Sequence, residues 1–271
     1  MITTHKTIRT IGVRSAGLLR GIFQRQENSS PPADPVHCDV PKLQNAEIAC
    51  IYYARRIAGD FYEFLRVSPS RTLFALLDLS GRRADTREVL IAAQKTFRKL
   101  APRLFGGQEV NEAEAMSELC HHINRTILQC SGGVRSCPAF IGCYNENLGT
   151  VCYGNAGHTP ALLRDGNEIT QLPATGLPLG LFSHTVHGAS TCALVPGSAL
   201  LVFSRGLIET MRHGNEFGLA GVSQSFCRGR LYTAADLCVR ILEDTREFAG
   251  YLQMQNDLTV LALFRKPDQG M

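Results

Sequence analysis

The sequence predicts an α+β fold made of antiparallel strands, and three observations lead there. Short β-compatible apolar runs crowd both ends of the chain, two long helical patterns lie together in the middle, and turn residues follow one strand with the next. Strand meanders around a helix pair pack as an antiparallel sandwich, not as a parallel doubly wound sheet. No internal repeat is present.

The first 35 residues stand apart from the rest. Residues 1–26 hold Lys6, Arg9, Arg14, Arg20 and Arg25 without an acid, interleaved with Ile8, Ile11, Val13, Leu18, Leu19, Ile22 and Phe23. This is the composition of a short basic amphipathic helix for a membrane surface or a partner, or of a basic tail laid on the domain. Arginine interrupts the apolar stretch too often for a secretory signal. "ENSSPPADP", Glu27 to Pro35, is linker composition. A single folded domain is expected over 36–267.

Within that domain "AEIACIYYAR" and "RTLFALLDLS" read as strands. Val89, Leu90, Ala93, Phe97 and Leu100 recur at helical spacing in "DTREVLIAAQKTFRKLAPRL". A second helix follows in "NEAEAMSELCHHINRTILQC", with Asn111 as its N-cap. The strands "AFIGCYNEN" and "LGTVCYGNAG" turn around Asn147 to Gly149, and "PALLRDG" comes next. "GASTCALV" and "SALLVFS" flank Pro196-Gly197, which reads as a hairpin turn. A helix in "TAADLCVRILEDTREFAG" precedes the last strand, "DLTVLALFR".

Composition excludes several function classes. A chain of 271 residues that is 44% hydrophobic and 19% charged matches ordinary globular proteins and is long enough to bury a substantial core. No apolar run approaches the roughly 18 residues of a membrane span. The net charge of +4 is too mild to argue for nucleic acid, and no nucleic-acid-binding motif is present. The ten cysteines are scattered through apolar segments without a C-x-x-C pair. They read as small buried hydrophobes in a reducing cytoplasm, not as disulfides or a zinc site.

The chemistry lies at strand ends. Asp60 follows a flexible Ala58-Gly59 step in "AGDFYEF", Asp78 closes an apolar strand in "LLDLSGRR", and Asn256 and Asp257 open the last strand. Acids far apart in sequence at the ends of buried strands suit a hard divalent cation, which takes a few carboxylate oxygens from a rigid frame. The same residues also serve as turn and cap residues. Arg205 is out of keeping: a guanidinium between the apolar strand of "SALLVFS" and the turn at Gly206.

In order, "AGDFYEF … LLDLSGRR … NAGHTPALL … GLPLG … LLVFSRGLIET … NDLTVLAL" resembles the SpoIIE-like branch of the metal-dependent protein phosphatase (PPM, type 2C) superfamily. The family patterns are GGDFYD, DVSGHG, NAGHxP, GxPLG, LYTDGxTE and DDxTLL, and the match runs from about Val36 to Lys266. The resemblance implies a four-layer αββα sandwich of two antiparallel sheets flanked by helix pairs. It also implies two Mn²⁺ or Mg²⁺ ions held by aspartates, activating a water that attacks phosphoserine or phosphothreonine directly.

Carried over by position, Asp60, Asp78 and Asp257 match metal-binding aspartates, with the backbone carbonyl of Leu79 as a further ligand. Arg205 and Asn256 stand where the family has aspartates. Arg82 and Arg83 replace the glycine-histidine of DVSGHG. His158 matches NAGHxP and shapes a turn. A guanidinium close to a divalent ion repels it strongly, so metal binding is expected to be weak or absent. In place of an ion, Arg205 is expected to bridge Asp60 and Asp78 through its planar fork. Alternatively Arg205 swings to solvent, or Asp257 or Glu63 rotates in as a replacement ligand, leaving one weak metal, or Arg205 binds a phosphoryl group on a partner.

Three readings of function stay open. One is a pseudophosphatase, weak or inactive, regulating a phosphorylatable protein partner of the anti-anti-sigma type or a sister subunit, including a homodimer. The second is an active Mn²⁺- or Mg²⁺-dependent serine/threonine phosphatase of a bacterial partner-switching pathway. The third is a non-catalytic interaction module using the basic N-terminal segment. All three are cytoplasmic.

Overall fold

The computed structural model describes residues 7–11, 39–54, 59–79, 83–130, 136–230, 233–250 and 256–268. The chain runs through strands β1 (Thr7–Ile11), β2 (Ala46–Ala54), β3 (Gly59–Arg66) and β4 (Arg71–Leu79) into helices α1 (Arg83–Phe105) and α2 (Glu112–Cys130). Strands β5 (Ala139–Asn145), β6 (Thr150–Ala156), β7 (Ala161–Asp165), β8 (Glu168–Leu172), β9 (Ser190–Ala193) and β10 (Ala199–Phe203) follow. The single turn α3 (Arg205–Ile208), the small hairpin β11 (Met211–Arg212) and β12 (Asn215–Glu216), helices α4 (Gly218–Cys227) and α5 (Ala234–Phe248), and strand β13 (Leu258–Arg265) complete it.

Two antiparallel sheets result, one in the order β1-β2-β13-β10-β7-β8 and the other β3-β4-β5-β6-β9. Alternation along the strands explains how they stack. On β4, Phe74 and Leu76 join Tyr52, Tyr62, Val202 and Leu261 in the core between the sheets, while Leu73, Ala75, Leu77 and Leu79 face the opposite way. Both faces of β4 are therefore covered, so its sequence is a continuous apolar run. Val89, Ala93 and Phe97 of α1 and Met116, Leu119 and Ile123 of α2 seal the outer face of the five-stranded sheet. Val222 and Phe226 of α4 and Leu237 and Ile241 of α5 seal the six-stranded one. Each of these side chains other than Ala93 contributes roughly 1.5–3 kcal/mol on burial. The layers are αββα, as the resemblance implies.

Several local expectations hold. Asn111 caps α2, its side-chain oxygen accepting the Glu114 N–H at 3.3 Å. The turn at Asn147 to Gly149 joins β5 to β6 as an antiparallel pair. Among the described residues all nine cysteines are free, and no helix is long and apolar enough to cross a membrane.

Others are corrected. Pro196-Gly197 is no hairpin turn: β9 pairs with β6 and β10 with β13 and β7, so this turn carries the chain from one sheet to the other. The basic N-terminal segment is not a helix over Thr7–Ile11, where it forms an edge strand in register with β2 from Ala54 to Cys50. The remainder of 1–35 and the expected boundary at Val36 lie outside the described residues.

Candidate functional site

Asp60 and Asp78 face each other in register across β3 and β4. Both belong to the alternation that points between the sheets, with Tyr62 and Phe64 on β3 and Phe74 and Leu76 on β4. The start of β13 closes the same end of the sandwich. Thr259 Oγ1 donates to Asp60 Oδ2 at 2.7 Å, and Tyr52 Oη donates to Asp257 Oδ2 at 2.7 Å. Asp60, Asp257 and Thr259 are buried, and Asp78 is partly buried. Leu79, whose carbonyl the resemblance assigns, follows Asp78 opposite Gly59. Burial, then the charge of Asp78, then that of Asp257 push the Asp60 carboxyl well above the ordinary range, against the hydrogen bond from Thr259.

Arg205 enters this cleft by its backbone. Its N–H donates to Asp78 Oδ2 at 3.4 Å. The guanidinium does not bridge Asp60 and Asp78: Nε lies 3.1 Å from Glu209 Oε1, and the two side chains are 53% and 40% exposed. A carboxylate four residues on in the same helical turn outcompetes the buried pair, because the guanidinium reaches it without leaving water. Glu209 is shared. Asn256 Nδ2 donates to its Oε2 at 3.2 Å, so the two positions that depart from the family pattern hold one carboxylate between them.

Backbone packing fixes this junction. A Cβ at Gly206 would lie 2.2 Å from the Asp257 carbonyl oxygen and 3.0 Å from Asn256 Cβ. Glycine alone lets α3 lie against the start of β13. Ser204 ties the same strands together, its N–H donating to Thr259 O and its Oγ accepting the Thr259 N–H, both at 3.0 Å.

Glu63 cannot serve as a replacement ligand. It points to the opposite face of β3, where Arg98 and Gln94 of α1 hold its carboxylate at 2.9 and 2.8 Å. His158 stands where its motif turns. Its N–H donates to Asn155 Oδ1 at 2.8 Å, and Gly157 before it takes φ +65° beneath Pro178. Burial lowers the His158 pKa against the pull of Asp78, so the ring is held neutral. Arg82 and the side chain of Arg83 lie outside the described residues.

Toward a divalent ion this arrangement offers two facing carboxylates. Asp257 is bonded to Tyr52, and Arg205 and Asn256 are tied to Glu209. Among the described residues no group of three or more His, Cys, Asp or Glu is arranged to hold an ion. Three participants go beyond the sequence expectations: Glu209, Thr259 and Tyr52. Glu209 and Thr259 lie inside the quoted motifs, matching the glutamate of LYTDGxTE and the threonine of DDxTLL. Tyr52 had no signal, because its role depends on strand pairing.

Comparison with known proteins agrees with the architecture. The family model for SpoIIE, Stage II sporulation protein E, matches residues 68–266. The chain is 22% identical over 161 residues to the phosphoserine phosphatase RsbP of Bacillus subtilis, covering 58% of this chain and 39% of RsbP. It thus spans about two fifths of the length of that relative. Among solved structures, the SiaA PP2C domain of Pseudomonas aeruginosa superposes with a TM-score of 0.68 at 15% identity, over 80% of this chain and 85% of that one. The RsbU and RsbW domains of Rv1364c from Mycobacterium tuberculosis give 0.65 at 23% identity, over 84% and 62%.

Proposed function

The chain belongs to the SpoIIE family of PPM-type protein phosphatases, and from that premise we propose that it is a pseudophosphatase: a weak or inactive member that regulates a phosphorylatable partner protein. One observation carries this reading. The two positions that depart from the family's aspartates, Arg205 and Asn256, are bonded to a common carboxylate, Glu209. PPM phosphatases depend on Mn²⁺ or Mg²⁺, and these residues do not fit a two-ion centre. Asp60 and Asp78 remain as an acid pair, Asp257 is engaged by Tyr52, and a cation stands at position 205.

What the residues support is recognition. Asp60, Asp78 and the start of β13 lie together at one end of the sandwich, and α3 packs closely on the start of β13 through Gly206. RsbP is by name a phosphoserine phosphatase, which makes a serine-phosphorylated protein of a bacterial partner-switching pathway the proposed partner, met in the cytoplasm. The active-enzyme reading retains one observation in its favour. Asp60 and Asp78 face each other, and the Arg205 guanidinium lies on Glu209 instead of between them, an arrangement that one ion would relieve.

Calorimetry with Mn²⁺ on metal-stripped protein separates the two, alongside turnover of p-nitrophenyl phosphate. Weak binding and near-background turnover are expected. A tight two-site isotherm, with turnover abolished by Asp78→Ala, would establish the active enzyme instead.

A further inference from the structure

Arg205 is anchored beside one acid and paired with another. Its backbone N–H meets Asp78, while its guanidinium lies on Glu209. The Arg205 backbone nitrogen lies 3.4 Å from Asp78 Oδ2, and an arginine side chain is long and flexible enough to turn back toward a carboxylate beside its own backbone, so its outward position needs a cause. Glu209 supplies one. Asn256 fixes the Glu209 carboxylate from the β13 side through Nδ2 at 3.2 Å, and an aspartate at 256 would repel it.

We infer that Glu209 determines which cation occupies the space between Asp60 and Asp78, by holding the Arg205 guanidinium out of the cleft. With Glu209 charged, Arg205 stays outside and the acid pair is left to a single, weakly held exogenous cation. With that charge removed, Arg205 turns inward and becomes the tethered counterion of Asp60 and Asp78. Glu209 is a positioning residue that acts through Arg205, and the inference rests on the reading that no two-ion centre fills the cleft.

A double-mutant cycle tests this, with Mn²⁺ affinity read by electron paramagnetic resonance on wild type, Glu209→Gln, Arg205→Ala and the double variant. Glu209→Gln is expected to weaken Mn²⁺ binding roughly two- to fivefold, the coupling of an exposed ion pair. Arg205→Ala is expected to tighten it. In the Arg205→Ala background Glu209→Gln should have no effect, because a residue acting through another loses its influence with it. Equal weakening in both backgrounds would mean that Glu209 merely adds negative charge, and would overturn the inference.

A metal-free crystal structure of Glu209→Gln decides the matter where Mn²⁺ is too weak to titrate. The Arg205 guanidinium is expected within hydrogen-bonding distance of Asp60 or Asp78, and a guanidinium still in solvent refutes the inference. Tight two-site binding by the wild type would defeat the pseudophosphatase reading instead, and the cycle would still report whether Glu209 acts through Arg205.

Discussion

Asp60 is buried beside two other aspartates and accepts a hydrogen bond from Thr259. A carboxyl whose pKa is raised in the folded state binds its proton more readily there than in the unfolded chain. Its contribution to stability is present at low pH and is lost as pH rises through the folded-state pKa. Asp60→Asn keeps an oxygen for Thr259 and removes the charge, so it should raise the melting temperature of metal-free protein by a few degrees near neutral pH. That gain should shrink as pH falls toward the ordinary carboxylate range, and a variant less stable than wild type at neutral pH contradicts the account. Arg205→Ala alone should cost only about 0.2–1 kcal/mol, because its partner is an exposed glutamate and not a buried acid pair. The motifs identified positions 60, 78, 205, 256 and 257 but not their side-chain directions. Arg205 has two acceptors within reach, and local sequence does not say which one it chooses.

The segment from Pro173 to Ala189, between β8 and β9, carries the GLPLG motif. Its neck is closed by Thr175 and Gly188, with Gly188 N–H on Thr175 O and Thr175 Oγ1 on Gly188 O. His187 Nε2 holds the Leu177 carbonyl at 3.1 Å, while its buried Nδ1 has no hydrogen-bond partner among the described residues. Burial lowers the His187 pKa, with nearby His121 lowering it further. Stability from the neutral ring is therefore present above the unfolded value of about 6.5 and is lost as pH falls below it. Wild type should lose more melting temperature between pH 7.5 and 5 than His187→Gln does, and parallel pH profiles would rule this out. Gly206→Ala is expected to destabilise strongly at any pH, since its Cβ would collide with backbone. Elements with strong periodicity were legible, including α1, α2, α5 and β13. Helix α4, "GLAGVSQSFC", was not, because its glycines and serines have low helix propensity and the packing of Val222 and Phe226 holds it. The Pro196-Gly197 turn announces a bend without saying which sheet receives the next strand.

Across the whole molecule the αββα layering follows from strands covered on both faces, which a single sequence displays as uninterrupted apolar runs. The cysteines are part of that packing. Burial pushes the Cys120 thiol up to about 12 and raises Cys137, Cys143 and Cys238 as well, so these thiols stay protonated and unreactive. In native protein a thiol reagent should label the exposed Cys130 and Cys227 quickly, and the buried cysteines only after denaturation. Fast labelling of Cys120 or Cys238 in the native state would show that the layers are looser than described. The central claim concerns how the protein as a whole responds to metal. Arg205→Asp with Asn256→Asp rebuilds the family's acids, so the double variant without metal should melt below wild type, with new acids beside Glu209 and Asp78. Thermal melts of both proteins with and without Mn²⁺ test the account most directly. The double variant should gain several degrees from Mn²⁺ and the wild type almost none, whereas an equal gain by the wild type would show that Arg205 and Asn256 do not disable the site.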